Sequence, residues 1–217
     1  PRVEQNGKVY IFKIKPGIYF SPDPAFKGQR RELKAQDYIY SIQRILDPKN
    51  RSTTYSFIDG KIVGGNQANA LAKKTGKFNY DAPIAGLKAL DPYTLQITLT
   101  RPDYNFQYIL AYVTFGATAR EVVEYYGDRI AQHPVGTGSY QLSKYVPRSK
   151  IELTANPYYR GFVWNFKSTG SAWDNRLVQE MSGKQMPQIG KVEVSIIEEE
   201  QSRWLAFKTG QLDFDKL

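Results

Sequence analysis

The sequence has 217 residues, with 30 Lys and Arg against 21 Asp and Glu, so its formal net charge is +9. The 41% hydrophobic and 24% charged content is typical of a globular protein and too apolar for a disordered chain. Because cysteine is absent and histidine occurs once, disulfides, thiolate metal sites and sites that need two imidazoles are excluded. No apolar run approaches the roughly 20 residues of a membrane-spanning helix.

The N-terminal part of the chain predicts strands followed by a helix. Alternating β-branched and aromatic residues indicate a strand over residues 9–14, and Tyr19-Phe20 begin a second short strand. Apolar residues at helical spacing predict a helix from Ala35 to Asp47, ended by Pro48. Residues 49–80 contain several glycines and polar stretches, which favour a loop.

The middle of the chain predicts a strand pair and two short helices. Strict alternation at Leu95, Ile97 and Leu99 after a turn at residues 91–93 is typical of a half-buried antiparallel strand. Residues 105–113 predict a short helix with Phe106, Ile109 and Leu110 inward. Thr118-Ala-Arg-Glu121 has the form of a capping box that opens a helix ending at Gly127.

The C-terminal part predicts further strands and one helix. Residues 140–145 and 151–153 predict a strand pair. Residues 160–190 have an irregular pattern, and we expect this segment to pack through its aromatic side chains. Residues 192–196 predict a strand, followed by a helix that begins at the acidic run 198–200, ends at Gly210 and leads into a strand at 212–214. Together the elements predict a mixed α/β fold with antiparallel strand pairs.

Gly136-Thr137-Gly138 is the most conspicuous glycine motif. A phosphate-binding loop needs a further glycine or a Lys-Ser/Thr pair and a following helix, whereas a strand pattern follows here. We expect Gly136, Thr137, Gly138 and Ser139 to form a bend whose backbone and hydroxyls face a ligand, or whose glycines only permit tight packing beneath the next strand.

No catalytic, metal or cofactor site is predicted. His133 and Ser139 lack the G-x-S-x-G elbow of a hydrolase, so a structural histidine is favoured, with a Ser139–His133 hydrolase kept as an alternative. The acidic run 198–200 indicates a solvated helix start rather than metal ligands. The positive charge and abundant tyrosines leave a nucleic-acid or anionic-surface binding module open, although the basic residues are scattered.

Four blocks in order resemble family 5 extracellular solute-binding proteins, the receptors of peptide and nickel ABC importers. Residues 8–48 resemble the opening of that family, including Ala35-x-Asp37, Tyr40-Ser41 and Asp47-Pro48. Residues 84–102 resemble its strand pair. The most diagnostic block is 124–159, with Tyr126-Gly127-Asp128, Pro134-Val-Gly-Thr-Gly138 and Asn156-Pro-Tyr-Tyr159, and the last is 191–214, ending Gly210-Gln-Leu-Asp213.

The resemblance implies one lobe of a type II periplasmic-binding-protein-like fold, with residues 1–217 as a partial first lobe, a possible subdomain at 20–130, and the second lobe absent. The sequence departs from the family pattern in three places. Lys34 stands where the family usually has a helix-capping threonine, the loop at 21–33 is longer than usual, and residues 160–190 resemble an insertion.

The resemblance also implies a function without chemistry. The expected partners are a peptide or other small polar solute and the permease subunits of an ABC transporter, in the periplasm or on a membrane-anchored lipoprotein outside a Gram-positive cell. Tyr55, Phe57, Tyr112 and Phe115 flank the region that faces the cleft in relatives, so they are predicted as ligand-contacting walls.

Overall fold

The computed structural model describes residues 1–215, which form two compact units. The first unit comprises residues 1–131, 135–137 and 158–160, and the second comprises residues 132–134, 138–157 and 161 onward. The chain therefore passes from one unit to the other within the glycine motif, between Thr137 and Gly138.

A four-stranded antiparallel sheet forms one layer of the first unit. Its strands are β1 (Arg2–Glu4), β2 (Val9–Lys13), β3 (Leu87–Asp91) and β4 (Thr94–Thr98), in the order β1-β2-β4-β3. The alternation of apolar residues is confirmed as a half-buried strand, because Leu95, Ile97 and Leu99 are all buried. The predicted second strand at Tyr19 is reduced to a single bridge with Glu32.

The helices of the first unit pack against that sheet and around it. They are α1 (Ala35–Leu46), α2 (Tyr55–Ile58), α3 (Gly65–Thr75), α4 (Phe106–Leu110) and α5 (Arg120–Tyr126). Helix α1 contacts β3 and β4 and supplies Ile39, Ile42 and Ile45 to the core. The helices predicted at 35–47 and 105–113 are thus confirmed.

Asp37 replaces the missing N-cap side chain of α1. The backbone amide of Lys34 donates to a carboxylate oxygen of Asp37 at 2.7 Å, which is half of a capping box. Lysine has no acceptor atom, so the other half does not form. Arg31 pairs with the same carboxylate at 2.7 Å, and it also pairs with Glu121 on α5 at 2.8 Å. The cap that Lys34 cannot provide therefore comes from inside the helix.

The prediction of a loop over residues 49–80 is wrong, because α2 and α3 lie within this range. Gly64 precedes α3 with a left-handed φ of +82° and acts as its N-cap, so this glycine opens a helix rather than marking a loop. Asn69 is buried and donates from its side chain to the Leu46 carbonyl oxygen at 2.7 Å. Tertiary contacts of small and polar residues stabilise a helix whose apolar periodicity is weak.

The capping box predicted from Thr118 is also wrong. Helix α5 takes Ala119 as its N-cap, and its end at Gly127 is as predicted. The Thr118 hydroxyl lies 3.2 Å from that of Ser41, so it is engaged with α1 instead of capping α5. Glu121, the other half of the predicted box, pairs with Arg31.

Two hydrophobic clusters make up the interior of the first unit. The larger lies between the sheet and α1, and includes Tyr10, Ile42, Leu46, Ile97 and Phe106. The smaller is formed by Ile18, Phe20, Phe26, Leu33, Ala119 and Val122. Ile14 and Tyr38 pack against both clusters and therefore lie between them.

The second unit is built on a three-stranded antiparallel sheet. Its strands are β5 (Tyr140–Val146), β6 (Lys150–Ala155) and, further along the chain, β9 (Lys191–Ser195), in the order β5-β6-β9. Between β6 and β9 lie β7 (Phe162–Val163), α6 (Ala172–Met181) and β8 (Gln185–Met186), and α7 (Glu200–Lys208) follows β9. The strand pair predicted at 140–145 and 151–153 is confirmed, and so is the strand predicted at 192–196, which pairs with β6.

Two predictions for the second unit are wrong. Residues 160–190 are not irregular, since Ser171 caps α6 through its hydroxyl and β7 pairs with β8. Residues 212–214 form no strand, so the predicted β-α-β arrangement stops after α7. The end of α7 is as predicted, because Gly210 follows it with a φ of +75° and donates to the Phe207 carbonyl oxygen.

Candidate ligand-binding surface

Phe57 and Tyr112 form an exposed aromatic pair on the first unit. Their ring centroids lie 5.8 Å apart at an interplanar angle of 85°, an edge-to-face contact. The two residues are 42% and 53% exposed, respectively, so each presents a large part of its surface to solvent. Two of the four aromatic residues predicted from the sequence are therefore brought together on the surface.

Short helical turns hold this pair through buried neighbours. Phe57 lies on α2, whose Ile58 is 1% exposed and anchors the turn in the larger cluster. Tyr112 immediately precedes a 3-10 turn, Val113–Phe115, which is anchored by the buried Phe115. Since these anchors belong to the core, the turns that carry Phe57 and Tyr112 are held against the packed interior.

The other two predicted aromatic residues have different environments. Phe115 is buried in the larger cluster and supports the turn that carries Tyr112. Tyr55 is half-buried, and its hydroxyl donates to Asp59 at 3.0 Å. Burial, together with that hydrogen bond and the negative charge of Asp59, raises the pKa of Tyr55. The placement of these two residues favours a supporting role.

Tyr108 and Val113 are two further exposed residues that are close to Tyr112 in the sequence, and neither is among the predicted wall residues. Tyr108 projects from α4 on the side away from Phe106, and Val113 follows Tyr112 directly. The signal was present in the sequence: once Phe106 is assigned to the core, the helical period turns Tyr108 outward. The edge-to-face pair of Phe57 and Tyr112 is called the aromatic surface below.

The glycine motif is divided between the two units, so its residues are described separately. In the first unit, Gly136 is exposed and its carbonyl oxygen accepts from the Ser21 amide at 2.8 Å, while Thr137 is partly exposed. In the second unit, Gly138 is exposed and its carbonyl oxygen accepts from the Asn156 side chain at 2.8 Å. Ser139 is partly exposed, and its carbonyl oxygen accepts from the backbone amide of Asn156 at 2.9 Å.

Neither the backbone conformation nor the neighbouring atoms require a glycine at position 136 or 138. A Cβ built on Gly136 or Gly138 meets nothing within 4 Å, and neither residue has a positive φ. The interpretation that these glycines permit tight packing beneath the next strand is therefore wrong. The interpretation that they face a ligand stays a prediction.

The acidic run 198–200 is a helix start. Glu199 is the N-cap of α7 and accepts from the amides of Gln201 and Ser202, which lowers the pKa of its carboxyl group. Among residues 1–215, no three metal-ligating side chains lie together. No helix in the same range is both long and apolar enough to cross a membrane.

One known protein family matches nearly the whole chain. Residues 1–216 match the model described as bacterial extracellular solute-binding proteins, family 5 Middle. The chain belongs to this family. The resemblance stated from its four blocks is thereby confirmed, and the family consists of solute-binding proteins rather than enzymes.

Several curated proteins are similar to part of the chain. The probable deoxycholate-binding periplasmic protein YgiS of Escherichia coli is 33% identical over 71% of the chain and 27% of its own length. The periplasmic oligopeptide-binding protein OppA of Salmonella typhimurium is 33% identical over 70% of the chain and 26% of its own length. The chain thus spans about a quarter of the length of these relatives.

Solved structures share the fold over the full chain. The substrate-binding domain of an oligopeptide ABC transporter from Bacillus anthracis superposes with a TM-score of 0.72 at 21% identity, covering 100% of this chain and 35% of that one. The DppA protein of Helicobacter pylori in complex with the peptide STSA superposes with a TM-score of 0.64 at 24% identity, covering 97% of this chain and 35% of that one. The mixed α/β fold with antiparallel sheets, predicted from the sequence, is confirmed as that of solute-binding proteins.

Proposed function

We propose that the chain is part of the solute-binding component of an ABC importer, and that its solute is a peptide or a similarly small polar molecule. The observation that carries the proposal is the family match over residues 1–216. The names of several relatives add to it, since OppA of Salmonella typhimurium is called a periplasmic oligopeptide-binding protein. On the same basis, the proposed partners are permease subunits and the proposed location is the periplasm, or the outer face of a Gram-positive cell.

The mechanism proposed is capture by closure of two lobes, with these residues belonging to the first lobe. Closure buries the solute between opposing walls and excludes water, and the closed form docks on the transporter. Backbone groups hold an extended peptide while roomy aromatic walls accept different side chains. Phe57 and Tyr112 suit such a wall, because they are exposed, carried on turns with buried neighbours and in mutual contact.

Gly136, Thr137, Gly138 and Ser139 are proposed as polar contacts for the solute. The hydroxyls of Thr137 and Ser139 donate and accept hydrogen bonds. The open space beside both glycines admits a close approach to the backbone. No intramolecular reason for these glycines is present among the described residues, which supports a role toward something bound.

Calorimetry on the complete receptor, this chain within its whole polypeptide, tests the proposal. The probes are a random tripeptide library, a tetrapeptide library and deoxycholate, the last because of the name of the Escherichia coli relative. We expect peptide binding that weakens about tenfold or more in Phe57→Ala and in Tyr112→Ala, as for buried aromatic contacts at interfaces.

Tyr125→Ala is the matched control, since Tyr125 is an exposed tyrosine of the same unit outside the aromatic surface. It should leave peptide affinity unchanged. Absence of peptide binding to the complete receptor would refute the proposed solute. Salt-dependent binding of an oligonucleotide in its place would favour the nucleic-acid alternative.

A further inference from the structure

A cavity of about 440 Å³ lies in the first unit, and its lining includes Ala111 and Phe115 but neither Phe57 nor Tyr112. Its wall is mainly apolar and includes Phe12, Ile18, Leu33, Ile42 and Leu95. Ile18 and Leu33 belong to the smaller hydrophobic cluster, whereas Ile42 and Leu95 belong to the larger one. The cavity is thus the gap left where the two clusters meet, and its volume is within the range of small-molecule sites.

Polar groups gather at the mouth of this cavity. Lys15, Gln107 and Arg160 line it and are at least partly exposed, and the half-buried Tyr38 lies beside them. Among the described residues, no carboxylate lines the cavity and neither Lys15 nor Arg160 has an ion-pair partner. Lys13 also lines the cavity, but its ammonium group is engaged with Thr94 at 2.7 Å and Asp91 at 3.8 Å.

Arg160 is held at the mouth by a contact of its own segment. Arg30 stacks between the rings of Tyr19 and Tyr158, at 4.1 Å and 4.8 Å from their centroids. The stack fixes residues 158–160 against the first unit, to which they belong. Tyr38 and Arg160 both line the cavity. Burial, together with the nearby charge of Asp37, raises the pKa of Tyr38, and the guanidinium of Arg160 opposes that shift.

We propose that this cavity is a binding site for a small amphipathic anion, with the aliphatic part between the two hydrophobic clusters and the acidic headgroup at Arg160, Lys15 and Tyr38. The arrangement matches such a ligand at both ends. The apolar wall removes a hydrocarbon body from water, and the unpaired cations meet a carboxylate or a similar group at the entrance.

Other ligand classes fit this cavity less well. The amino terminus of a zwitterionic peptide needs a carboxylate or several acceptors, and no carboxylate is present in the wall. A nucleotide offers a polar sugar and base that the apolar interior would leave without hydrogen bonds. A lipid with two acyl chains exceeds the volume of a cavity at the lower end of the small-molecule range.

Calorimetry or NMR titration of the chain itself tests the site, because every residue that lines it belongs to the first unit. The probes are decanoate and 1-decanol, which share an alkyl chain and differ in charge. We expect saturable one-to-one binding of decanoate, and binding of decanol that is at least fivefold weaker.

Ala111→Trp places a large ring at the mouth, from an exposed position that tolerates it, and should weaken decanoate binding tenfold or more. Ala70→Trp, on the exposed side of α3, is the matched control and should not change it. Gln107→Trp serves as a second blocking variant if Ala111→Trp lowers the melting temperature.

Charge variants test the headgroup contact separately. Arg160→Gln and Lys15→Gln should each weaken decanoate several-fold and leave decanol unchanged, whereas Lys74→Gln on α3 should affect neither. Absence of saturable decanoate binding, or binding that is indifferent to both Ala111→Trp and Arg160→Gln, would overturn the proposal. Phe57→Ala should leave decanoate binding intact, so this result and the outcome for peptides are independent.

Discussion

Gly86 is the glycine on which the first unit most clearly depends. Its amide donates to the Val63 carbonyl oxygen at 2.8 Å, and its own carbonyl oxygen accepts from Thr98 at 2.8 Å. A Cβ at this position would lie 2.7 Å from the Val63 carbonyl oxygen and 2.7 Å from that of Thr98. Both contacts are with backbone atoms, so the strain cannot be relieved by turning a side chain.

Gly86→Ala should therefore lower the stability of the first unit by roughly 1–3 kcal/mol, as overpacking of a tight site does. Gly138→Ala is the control: its Cβ meets nothing within 4 Å, and we expect no change in melting temperature. Thermal unfolding followed by circular dichroism measures both. Equal melting temperatures for Gly86→Ala and the unaltered chain would contradict the backbone contact.

Individual side chains set the limit of what could be predicted for the candidate site. The family resemblance placed Tyr55, Phe57, Tyr112 and Phe115 in one category, since all four flank the region that faces the cleft in relatives. Only the turn geometry separates them: residues 113–115 form a 3-10 turn that directs Phe115 into the core and leaves Tyr112 outside. A period-two or helical pattern was too short here to assign a buried face.

At the scale of elements, Arg31 joins the starts of α1 and α5. It pairs with Asp37, whose side chain is 3% exposed, and with Glu121, and these contacts outweigh its own burial and raise its pKa. Arg31→Met should destabilise the first unit by about 3 kcal/mol, because the buried Asp37 charge loses its partner.

Arg30→Met is the matched control for that measurement. Arg30 is exposed, stacks on two aromatic rings and has no ion pair among the described residues, so its removal should cost at most about 1–2 kcal/mol. Urea unfolding of the two variants gives the comparison. A loss for Arg31→Met no larger than that for Arg30→Met would show that the ion pair does not hold the two helices.

The charged face of the β5-β6-β9 sheet predicts a dependence on acid pH. Lys150 lies 2.7 Å from Glu193, Lys191 also pairs with it, and these two cations lower the Glu193 pKa from 4.5 to about 2. A carboxyl group with a lowered pKa stabilises the folded state fully above its ordinary pKa, and loses that contribution as pH falls from 4.5 toward 2.

Tryptophan fluorescence follows this unit alone, because Trp164, Trp173 and Trp204 all lie in it. The denaturant midpoint should fall as the pH is lowered from 4.5 to about 2, and Glu193→Gln should flatten that fall. Glu198→Gln, which removes an exposed carboxylate paired only with Arg148, should leave the pH profile unchanged. The same pH profile in Glu193→Gln would exclude this residue as its source.

Elements with strong periodicity were predictable, and those stabilised by tertiary contacts were not. Helix α1 and strand β4 have apolar residues at regular spacing, so pattern and packing agree. Helix α3 begins at Gly65 and packs small residues and the amide of Asn69 against α1, which local pattern does not reveal. The strand expected at 212–214 shows the reverse case, in which alternation occurs without a pairing partner among the described residues.

At the scale of the whole molecule, the two units differ in how many of their residues are buried. The first contains both hydrophobic clusters, whereas Asn156 is the only buried residue among those described in the second. Ile151 pairs in register with Val194, and Leu153 with Val192, so one face of that sheet is apolar yet not fully covered. The first unit therefore has a hydrophobic core, whereas the described part of the second unit has an apolar sheet face but no hydrophobic core.

In the proposed two-lobed mechanism, solute binding needs a second wall opposite the aromatic surface. Pockets that hold small ligands bury roughly 70–90% of the ligand surface. The aromatic pair instead stands open to solvent, with Phe57 and Tyr112 at 42% and 53% exposure. We therefore expect the chain alone to show no peptide binding in the micromolar range, while the complete receptor binds the same peptides. Isothermal titration with the tripeptide library measures both, and circular dichroism shows that the sample of the chain alone is folded. A sub-micromolar dissociation constant for a peptide on the chain alone would show that one wall is sufficient, and would contradict the two-lobed mechanism.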